Sequence, residues 1–343
     1  MRVLVTGGAG FIGSHIVEFY SNRGDEVVAL DSLARGEMLR REEYGIQSNW
    51  EYLRSLKNVT PVKGDIRDFE KLKDVAAGCE VIFHAAAQVA VTSSVTDPVL
   101  DFEINAKGTI NVLEASRLHD ASVVFTSTNK AYGENVNKIP VTEKEKRYEY
   151  ADPKYNRGIP EEFPIDLTGH SPYGCSKLSA DLYVQDYAHT YGLKTGVFRQ
   201  SCIYGERQFG VEDQGWVAWF VIATLSNRPI TIYGDGKQVR DVLYVKDLVT
   251  AFDAFLNSHL RHEVFNTGGG PKNTLSLLEL LDILEEFTRT RPRISFSSWR
   301  PADQKVYVSD ISKMFRLLHW KPLVGPQAGV KKLVEFFRKK STS

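Results

Sequence analysis

The sequence predicts an α/β protein built on a doubly wound parallel sheet, with a smaller, mixed α/β substrate-binding domain. Three observations predict it. Short apolar runs alternate with helix-period segments up to residue 203, as repeated βαβ units require. A glycine-rich turn, VTGGAGFIGSH, joins the first apolar run to the first helical pattern. Beyond residue 203 the alternation loses its regularity, and a second domain is expected mostly there.

In chain order, RVLVTG reads as a buried strand and FIGSHIVEFYSNRG as a helix ending on Gly24. EVVALD is the second strand and KNVTPVKGDI holds the third. FEKLKDVAAG is a helix, EVIFHAAA the fourth strand, DFEINAKGTINVLEASRLHD a long helix and SVVFTST the fifth strand. SPYGCSKLSADLYVQDYAHTYG is a further helix, and LKTGVFRQSCIYG the sixth strand. Residues 134–170 break the rhythm with many charges and with Pro140, Pro153 and Pro160. They read as a long structureless loop, a feature that is usually functional or disordered. RDVLYVKDLVTAFDAFLNS reads as a strand and helix that could return to the first domain. The expected division is 1–202 with 240–262 for the first domain, and 203–239 with 263–343 for the second.

Composition narrows the function. Lys+Arg and Asp+Glu both number 43, so the net charge is zero and neither nucleic acid nor an anionic membrane is expected as partner. Cys79, Cys175 and Cys202 stand apart with no CxxC spacing, which excludes a disulfide framework and a zinc site and suits a reducing, cytoplasmic setting. No apolar run approaches the roughly 18 residues of a membrane span, and no signal-peptide pattern opens the chain.

Gly7, Gly10 and Gly13 recur at spacing three between a strand and a helix. Gly7 permits the tight turn, Gly10 lets the backbone approach a pyrophosphate, and Gly13 lets the helix sit close to the sheet. The helix N-terminus then offers its N–H groups to phosphate oxygens. This is the phosphate loop of a Rossmann sheet. Asp31, at the end of the second strand, can accept hydrogen bonds from the adenosine ribose and would repel a 2′-phosphate, so NAD is the expected cofactor. Arg35 is the one nearby residue that would suit NADP instead. In GDIRD, Asp65 and Ile66 are expected against the adenine.

Tyr173 and Lys177 in SPYGCSK share a helix face at spacing i,i+4. A phenol titrating near 10 is a poor base at neutral pH. A lysine ammonium one turn away and a nicotinamide cation would stabilise the phenolate, so the tyrosine could take a proton from a sugar hydroxyl while hydride leaves the same carbon. The fifth strand ends in five consecutive polar residues, Thr126, Ser127, Thr128, Asn129 and Lys130, without a carboxylate among them.

TGGAGFIG, Asp31, GDIRD, HAAA, NAKGT and YGCSK together resemble the extended short-chain dehydrogenase/reductase family, whose members act on nucleotide sugars. The resemblance runs through YGDGKQVRDVLYVKDL and RPADQKVYVSDISK. It implies that Thr128 joins Tyr173 and Lys177 as the third catalytic residue, hydrogen-bonding the reacting hydroxyl. It implies NAD contacts from Phe11, Ile12, Ser32, Ala85, Ala86, Ala87 and Asn105, besides the glycines, Asp31, Asp65, Ile66, Tyr173 and Lys177. It implies substrate contacts from Gln88, Asn129, Lys130, Gln200, Cys202, Arg207, Gln208, Arg240 and Arg300, and no metal. Members that dehydrate their sugar carry an Asp-Glu pair after the threonine, and those that decarboxylate usually carry a Glu. Asn129 and Lys130 exclude both, leaving hydride removal and return. STNKAYG and RQFGVEDQGWVAWF resemble the branch of the family that inverts C2 of CDP-hexoses, either CDP-paratose/CDP-tyvelose or CDP-glucose/CDP-mannose. Gln200, Cys202 and Glu206 depart from that branch's pattern and keep a GDP-sugar open, and a UDP-hexose 4-epimerase is the other alternative. His84 is expected to be a positioned strand-end residue. Trp216 and Trp219 share a helix face and belong to core or interface. The family commonly pairs through two helices, here 101–119 and 174–191, so a homodimer or homotetramer is expected.

Overall fold

The structure is a computed structural model and describes residues 1–34, 44–300 and 303–341. Arg35, Pro301 and Ala302 lie outside the described residues. In chain order the first elements are β1 (Arg2–Thr6), α1 (Phe11–Asn22), β2 (Glu26–Asp31), α2 (Tyr44–Ser55), β3 (Val59–Lys63), α3 (Phe69–Ala76), β4 (Val81–His84), α4 (Val91–Thr96), α5 (Pro98–Phe102), α6 (Gly108–His119) and β5 (Ser122–Thr128). Next come β6 (Val141–Glu143), β7 (Tyr148–Tyr150), α7 (Ser171–Tyr191), β8 (Thr195–Gln200), β9 (Cys202–Tyr204), α8 (Trp216–Leu225), β10 (Ile230–Tyr233), β11 (Val239–Tyr244) and α9 (Val245–Leu256). The last are β12 (His262–Thr267), β13 (Thr274–Ser276), α10 (Leu277–Thr288), β14 (Ile294–Ser297), β15 (Val306–Tyr307), α11 (Ser312–Leu318) and α12 (Pro326–Ser341).

The described residues form two compact units. Unit 1 holds Met1–Ala131, Ser171–Arg199 and Phe252–Phe265; unit 2 holds Tyr132–His170, Gln200–Ala251 and Asn266–Ser343. The main sheet has seven strands in the order β12-β8-β5-β4-β1-β2-β3. β1 pairs in parallel with both β2 and β4, and the pairs β2/β3 and β4/β5 are parallel too. Strand order therefore reverses between β1 and β4. In doubly wound sheets, ligands bind beyond the strand C-termini at such a reversal. Val3, Leu4 and Val5 of β1 are fully buried. They are covered on both faces, which is why this strand reads as a continuous apolar run.

Several sequence expectations need correction. The seventh strand, β12, is absent from the sequence reading, because HEVFNT carries polar residues and is too short to announce itself. The sixth run divides into β8, which stays in the main sheet, and β9, which pairs with β11 through Cys202↔Val242 and Ile203↔Leu243. β11 thus does not return to the first domain. It also pairs with β13 and β15. Only the last part of α9, from Phe252, belongs to unit 1. Residues 134–170 are not structureless: they carry 3₁₀ turns and the β6/β7 hairpin. Their apolar residues explain it. Tyr132, Val136, Ile139, Ile159, Phe163 and Tyr307 form a buried cluster within unit 2. This segment and 240–251 therefore group with unit 2, unlike the expected division. The long helix over 101–119 is interrupted by a π-turn at Glu103–Lys107, a local widening that often marks functional positions.

Candidate active site

The turn after β1 meets the loop after β4 at the strand reversal. Gly7 has φ +69, and a Cβ there would lie 2.7 Å from the Ala86 nitrogen and 2.8 Å from the Ala85 carbonyl carbon. A Cβ on Gly13 would lie 2.0 Å from the Gly7 oxygen. Neither position tolerates a side chain. A Cβ on Gly10 would meet nothing within 4 Å except the Gly7 carbonyl, and Gly10 offers α1 no side-chain cap. The leading N–H groups of α1, at Phe11, Ile12 and Gly13, are thus left for an external acceptor. These residues fit a dinucleotide pyrophosphate.

Asp31 closes the far side of this turn. Its Oδ2 accepts from Ala9 N at 2.9 Å and its Oδ1 from Leu33 N at 2.8 Å. Burial pushes its pKa up, and the N–H groups of Leu33, Ala9 and Gly10 pull the other way. Each carboxylate oxygen keeps a lone pair for a ribose hydroxyl. Ser32 sits beside it and accepts weakly from Ala34 N at 3.4 Å. Ala85, Ala86 and Ala87 are half-exposed beyond a fully buried β4. Ile66 is buried, and Asp65 pairs with Arg67 at 2.7 Å on the wall of a hollow of about 390 Å³ that Asp68, Glu103 and Lys107 complete.

The three candidate catalytic side chains come together in unit 1. Tyr173, in the first turn of α7, hydrogen-bonds through its hydroxyl to Thr128 at the end of β5. Thr128 Oγ1 also accepts from Lys130 N at 3.2 Å and donates to Asn129 Oδ1 at 3.4 Å. Lys177 is placed differently from expectation. Its Nζ donates to the Thr126 carbonyl at 2.7 Å and lies 4.2 Å from the centre of the Phe125 ring, beneath the strand end. Burial pushes Lys177 down to about 7, against the pull of Asp181 and Asp101. Burial pushes Tyr173 up to about 12; the Thr128 hydrogen bond works against this, while Asp101 adds to it. The lysine alone does not activate the phenol. The protein binds the two groups in protonation states opposite to those the chemistry needs, and a cation beside the phenol must tip the balance.

His84 is buried at the end of β4, its ring between Thr6 Oγ1 at 2.8 Å and Thr109 Oγ1 at 2.9 Å. Thr109 spends its proton on the Asn105 carbonyl at 2.5 Å, so it accepts from His84 Nε2–H, and Nδ1 accepts from Thr6. Burial, with Lys177 adding to it, pushes the imidazole down to about 3. It is a neutral strut, in keeping with its expected role as a positioned strand-end residue.

Two expected ligand contacts turn inward instead. The Gln88 amide donates to Ala90 O at 2.9 Å and Asp101 Oδ1 at 2.8 Å, and its oxygen accepts from Ala90 N. Asn105 exchanges hydrogen bonds with the Gln88 backbone at 2.9 and 3.0 Å and donates to Asp101 and Ser176. Both side chains are scaffold, because a buried amide must find partners close by. Sequence reasoning missed Asp101, Ser176, Asp181 and Arg199. Only the i,i+4 spacing of Lys177 and Asp181 hinted at the last pair.

In unit 2, Gln200 is 8% exposed and its Nε2 has no hydrogen-bond partner. An orphaned buried donor of this kind points to an acceptor from outside the chain. Gln208 keeps an unpaired buried Oε1 while its Nε2 donates to Ile203 O at 3.1 Å. Cys202 accepts from Trp216 Nε1 at 3.2 Å, and Glu206 accepts from the Tyr244 hydroxyl. Trp216 and Trp219 pack on the apolar core of unit 2. Arg207 is buried with φ +60. Arg240 donates to Asp303 at 2.7 Å and Gln304 O at 2.6 Å. Arg300 pairs with Asp213 at 3.0 Å and lies 4.1 Å from the Tyr233 ring centre. Among the described residues no group of His, Cys, Asp and Glu is placed to hold a metal ion, and no helix is long and apolar enough to cross a membrane.

Residues 3–268 match the family described as the NAD dependent epimerase/dehydratase family. The chain belongs to that family: it is an isomerase that works with NAD. Among individual relatives it is 42% identical to a CDP-paratose 2-epimerase from Salmonella typhi, over 98% of this chain and 99% of that protein. It superposes on a UDP-glucose 4-epimerase from Thermotoga maritima, solved with UDP-glucose, with a TM-score of 0.83 at 31% identity, covering 99% of this chain and 100% of that one. A UDP-glucose 4-epimerase from Thermus thermophilus in complex with NAD gives 0.79 at 34% identity, covering 98% and 99%.

Proposed function

We propose that the chain is a nucleotide-sugar 2-epimerase that inverts C2 of a CDP-hexose, either CDP-paratose/CDP-tyvelose or CDP-glucose/CDP-mannose. The carrying observation is the Tyr173–Thr128 hydroxyl pair above Lys177 with Asn129 and Lys130, not carboxylates, after Thr128. Such a site can move one proton on and off a hydroxyl. It lacks the acid needed to expel water from a neighbouring carbon. Similarity to the Salmonella typhi enzyme supports C2 and the cytidine nucleotide.

Bound NAD supplies the hydride acceptor that turns the C2 alcohol into a ketone and the donor that returns it. The remaining work falls to the chain. Thr128 orients the C2 hydroxyl, Tyr173 Oη takes its proton, and the same oxygen gives the proton back when hydride returns to the other face. Lys177, anchored on Thr126 O, holds a positive charge below the phenol. Gln200 Nε2, Gln208, Arg207, Arg240 and Arg300 hold the sugar and diphosphate in this reading, the arginines by bidentate pairing. For Arg240 and Arg300 that means exchanging Asp303 and Asp213 for phosphate. Cys202, already engaged by Trp216, contributes shape. Unit 1 carries the cofactor and unit 2 the nucleotide sugar. Three free thiols suit a cytoplasmic protein.

A UDP-hexose 4-epimerase is the second reading, supported by the solved relative that holds UDP-glucose; a GDP-sugar is kept open by Gln200, Cys202 and Glu206. Incubation with CDP-glucose, followed by NMR, tests the first. CDP-mannose appearing without net NADH is the expected result. Conversion of UDP-glucose to UDP-galactose, with CDP-sugars untouched, would overturn it in favour of C4.

We also propose a homodimer, or a tetramer built from it. Val95, Val99 and Phe102 on α4 and α5, with Leu182 and Tyr183 on α7, are exposed apolar residues of unit 1. Sedimentation should give about twice the mass of 38.7 kDa or more. Val99→Glu together with Leu182→Glu should shift the protein toward monomer.

A further inference from the structure

Asp101 is a buried carboxylate that the mechanism above does not use. It is 1% exposed. Its Oδ1 accepts from Gln88 Nε2 at 2.8 Å and Asn105 Nδ2 at 3.1 Å, and its Oδ2 from Ser176 Oγ at 2.5 Å. Every partner is a donor, the arrangement that suits the ionised, acceptor-only form. The donors come from the loop after β4, the π-turn and the first turns of α7. Ser176 stands next to Lys177 and three residues after Tyr173, whose carbonyl it also meets at 3.1 Å.

The charges that face Lys177 are few. Asp181 approaches from its own helix and Asp101 from α5, while His84 on β4 is neutral. Asp181 is paired with Arg199 of β8, Nε to Oδ2 at 3.0 Å and Nη2 to Oδ1 at 3.0 Å. That pair is neutral as a whole. Asp101 receives hydrogen bonds from neutral groups only. Its field at Lys177 is therefore the one left uncancelled.

We propose that Asp101 is a positioning residue whose negative charge holds the α7 turn carrying Tyr173 and Lys177 in register with the 85–88 loop and keeps Lys177 an ammonium ion. This rests on Tyr173 and Lys177 acting as in the reading above. Lys177 then stays charged although it is buried, because Asp101 is buried with it.

The test compares NAD-loaded wild type, Asp101→Asn, Asp101→Glu and Ser176→Ala by pH profile and by amine labelling of Lys177 followed by mass spectrometry. Removing an anion lowers the pKa of a nearby ammonium. In Asp101→Asn the basic limb of kcat should therefore move to lower pH by about one unit or more. kcat at pH 8 should fall at least about tenfold, with KM and bound NAD little changed. The labelling midpoint of Lys177 should move by the same amount and in the same direction. Asp101→Glu should keep the wild-type midpoint, and so should Ser176→Ala, which loses a contact but no charge. An unmoved midpoint in Asp101→Asn, or an equal shift in Ser176→Ala, would overturn the proposal. Asp101→Ala carries the same expectation should the asparagine amide clash with its donor neighbours and prevent folding. Labelling needs no substrate, so its result stands even if no sugar is epimerised and the substrate reading fails.

Discussion

Tyr173→Phe is expected to lower the rate of epimerisation by about a thousandfold, within the range of about 10²–10⁴ that a positioned proton carrier supplies. The reason lies in one atom. Only Tyr173 Oη is placed against Thr128 to take a proton from the reacting hydroxyl and return it. The phenylalanine ring keeps the apolar contacts of the phenol, so bound NAD per subunit and KM should change little. Such a split, in kcat and not in KM, marks an interaction made only in the transition state. The wild-type pH profile follows from the same atom. The phenol is pushed up to about 12 by burial in the protein alone. The fraction able to accept a proton rises as pH rises toward the working pKa, which a bound cation beside the ring lowers. kcat should climb with pH on the acid side. It should fall again once Lys177, pushed down to about 7 in the protein alone, loses its charge. In Tyr173→Phe the residual rate should lose the acid-side slope. Product ratios by NMR and NAD content after acid precipitation check both points. Residual activity above about a tenth of wild type would exclude Tyr173 as the proton carrier.

How much of this was legible in the sequence depends on how local each feature is. The glycine turn is legible because three backbone constraints fall within seven residues, and two of them leave no space for a Cβ. Tyr173 and Lys177 are legible because helix geometry fixes them one turn apart. Their electrostatics are not. The sequence suggests a lysine beside the phenol; the structure binds Lys177 Nζ to Thr126 O, a residue 51 positions away. Gln88 and Asn105 read as ligand contacts because of where they lie in the motifs. They turn inward because Asp101 needs their donors, and a pairing across 13 residues of loop and helix leaves no periodic trace. The 134–170 segment misleads for a related reason. Its charges are on the surface, while a few scattered apolar residues, Val136, Ile139, Ile159 and Phe163, bury themselves with Tyr307 from far along the chain. A length-and-composition reading counts the charges and misses the anchors.

Arg199→Ala is expected to be the most destabilising single change in unit 1, and it separates stability from catalysis. The Asp181 and Arg199 side chains are 0% and 5% exposed and form a two-pronged ion pair. Ser127 Oγ donates to Asp181 Oδ2 at 2.6 Å, and Gln185 Nε2 to Oδ1 at 2.6 Å. Removing the guanidinium strands a carboxylate in the core, which costs about 3–5 kcal/mol. The melting transition of unit 1 should drop, and near-ultraviolet circular dichroism should report it. Replacing both members, Arg199→Met with Asp181→Leu, removes the stranded charge as well. Paired burial of charge is seldom more stable than apolar packing of similar volume, so the double variant should recover most of the lost stability. It should not recover activity. Ser127 immediately precedes Thr128 and loses its acceptor, so the strand end that carries the catalytic hydroxyl is no longer tied to α7. Lys177 also loses Asp181 as a counter-charge one turn along its own helix. A double variant as stable as wild type yet at least tenfold slower, about 1.4 kcal/mol in transition-state stabilisation, would show that the pair is kept for the geometry of Thr128 and Lys177. A stable and fully active double variant would reduce the pair to a packing element.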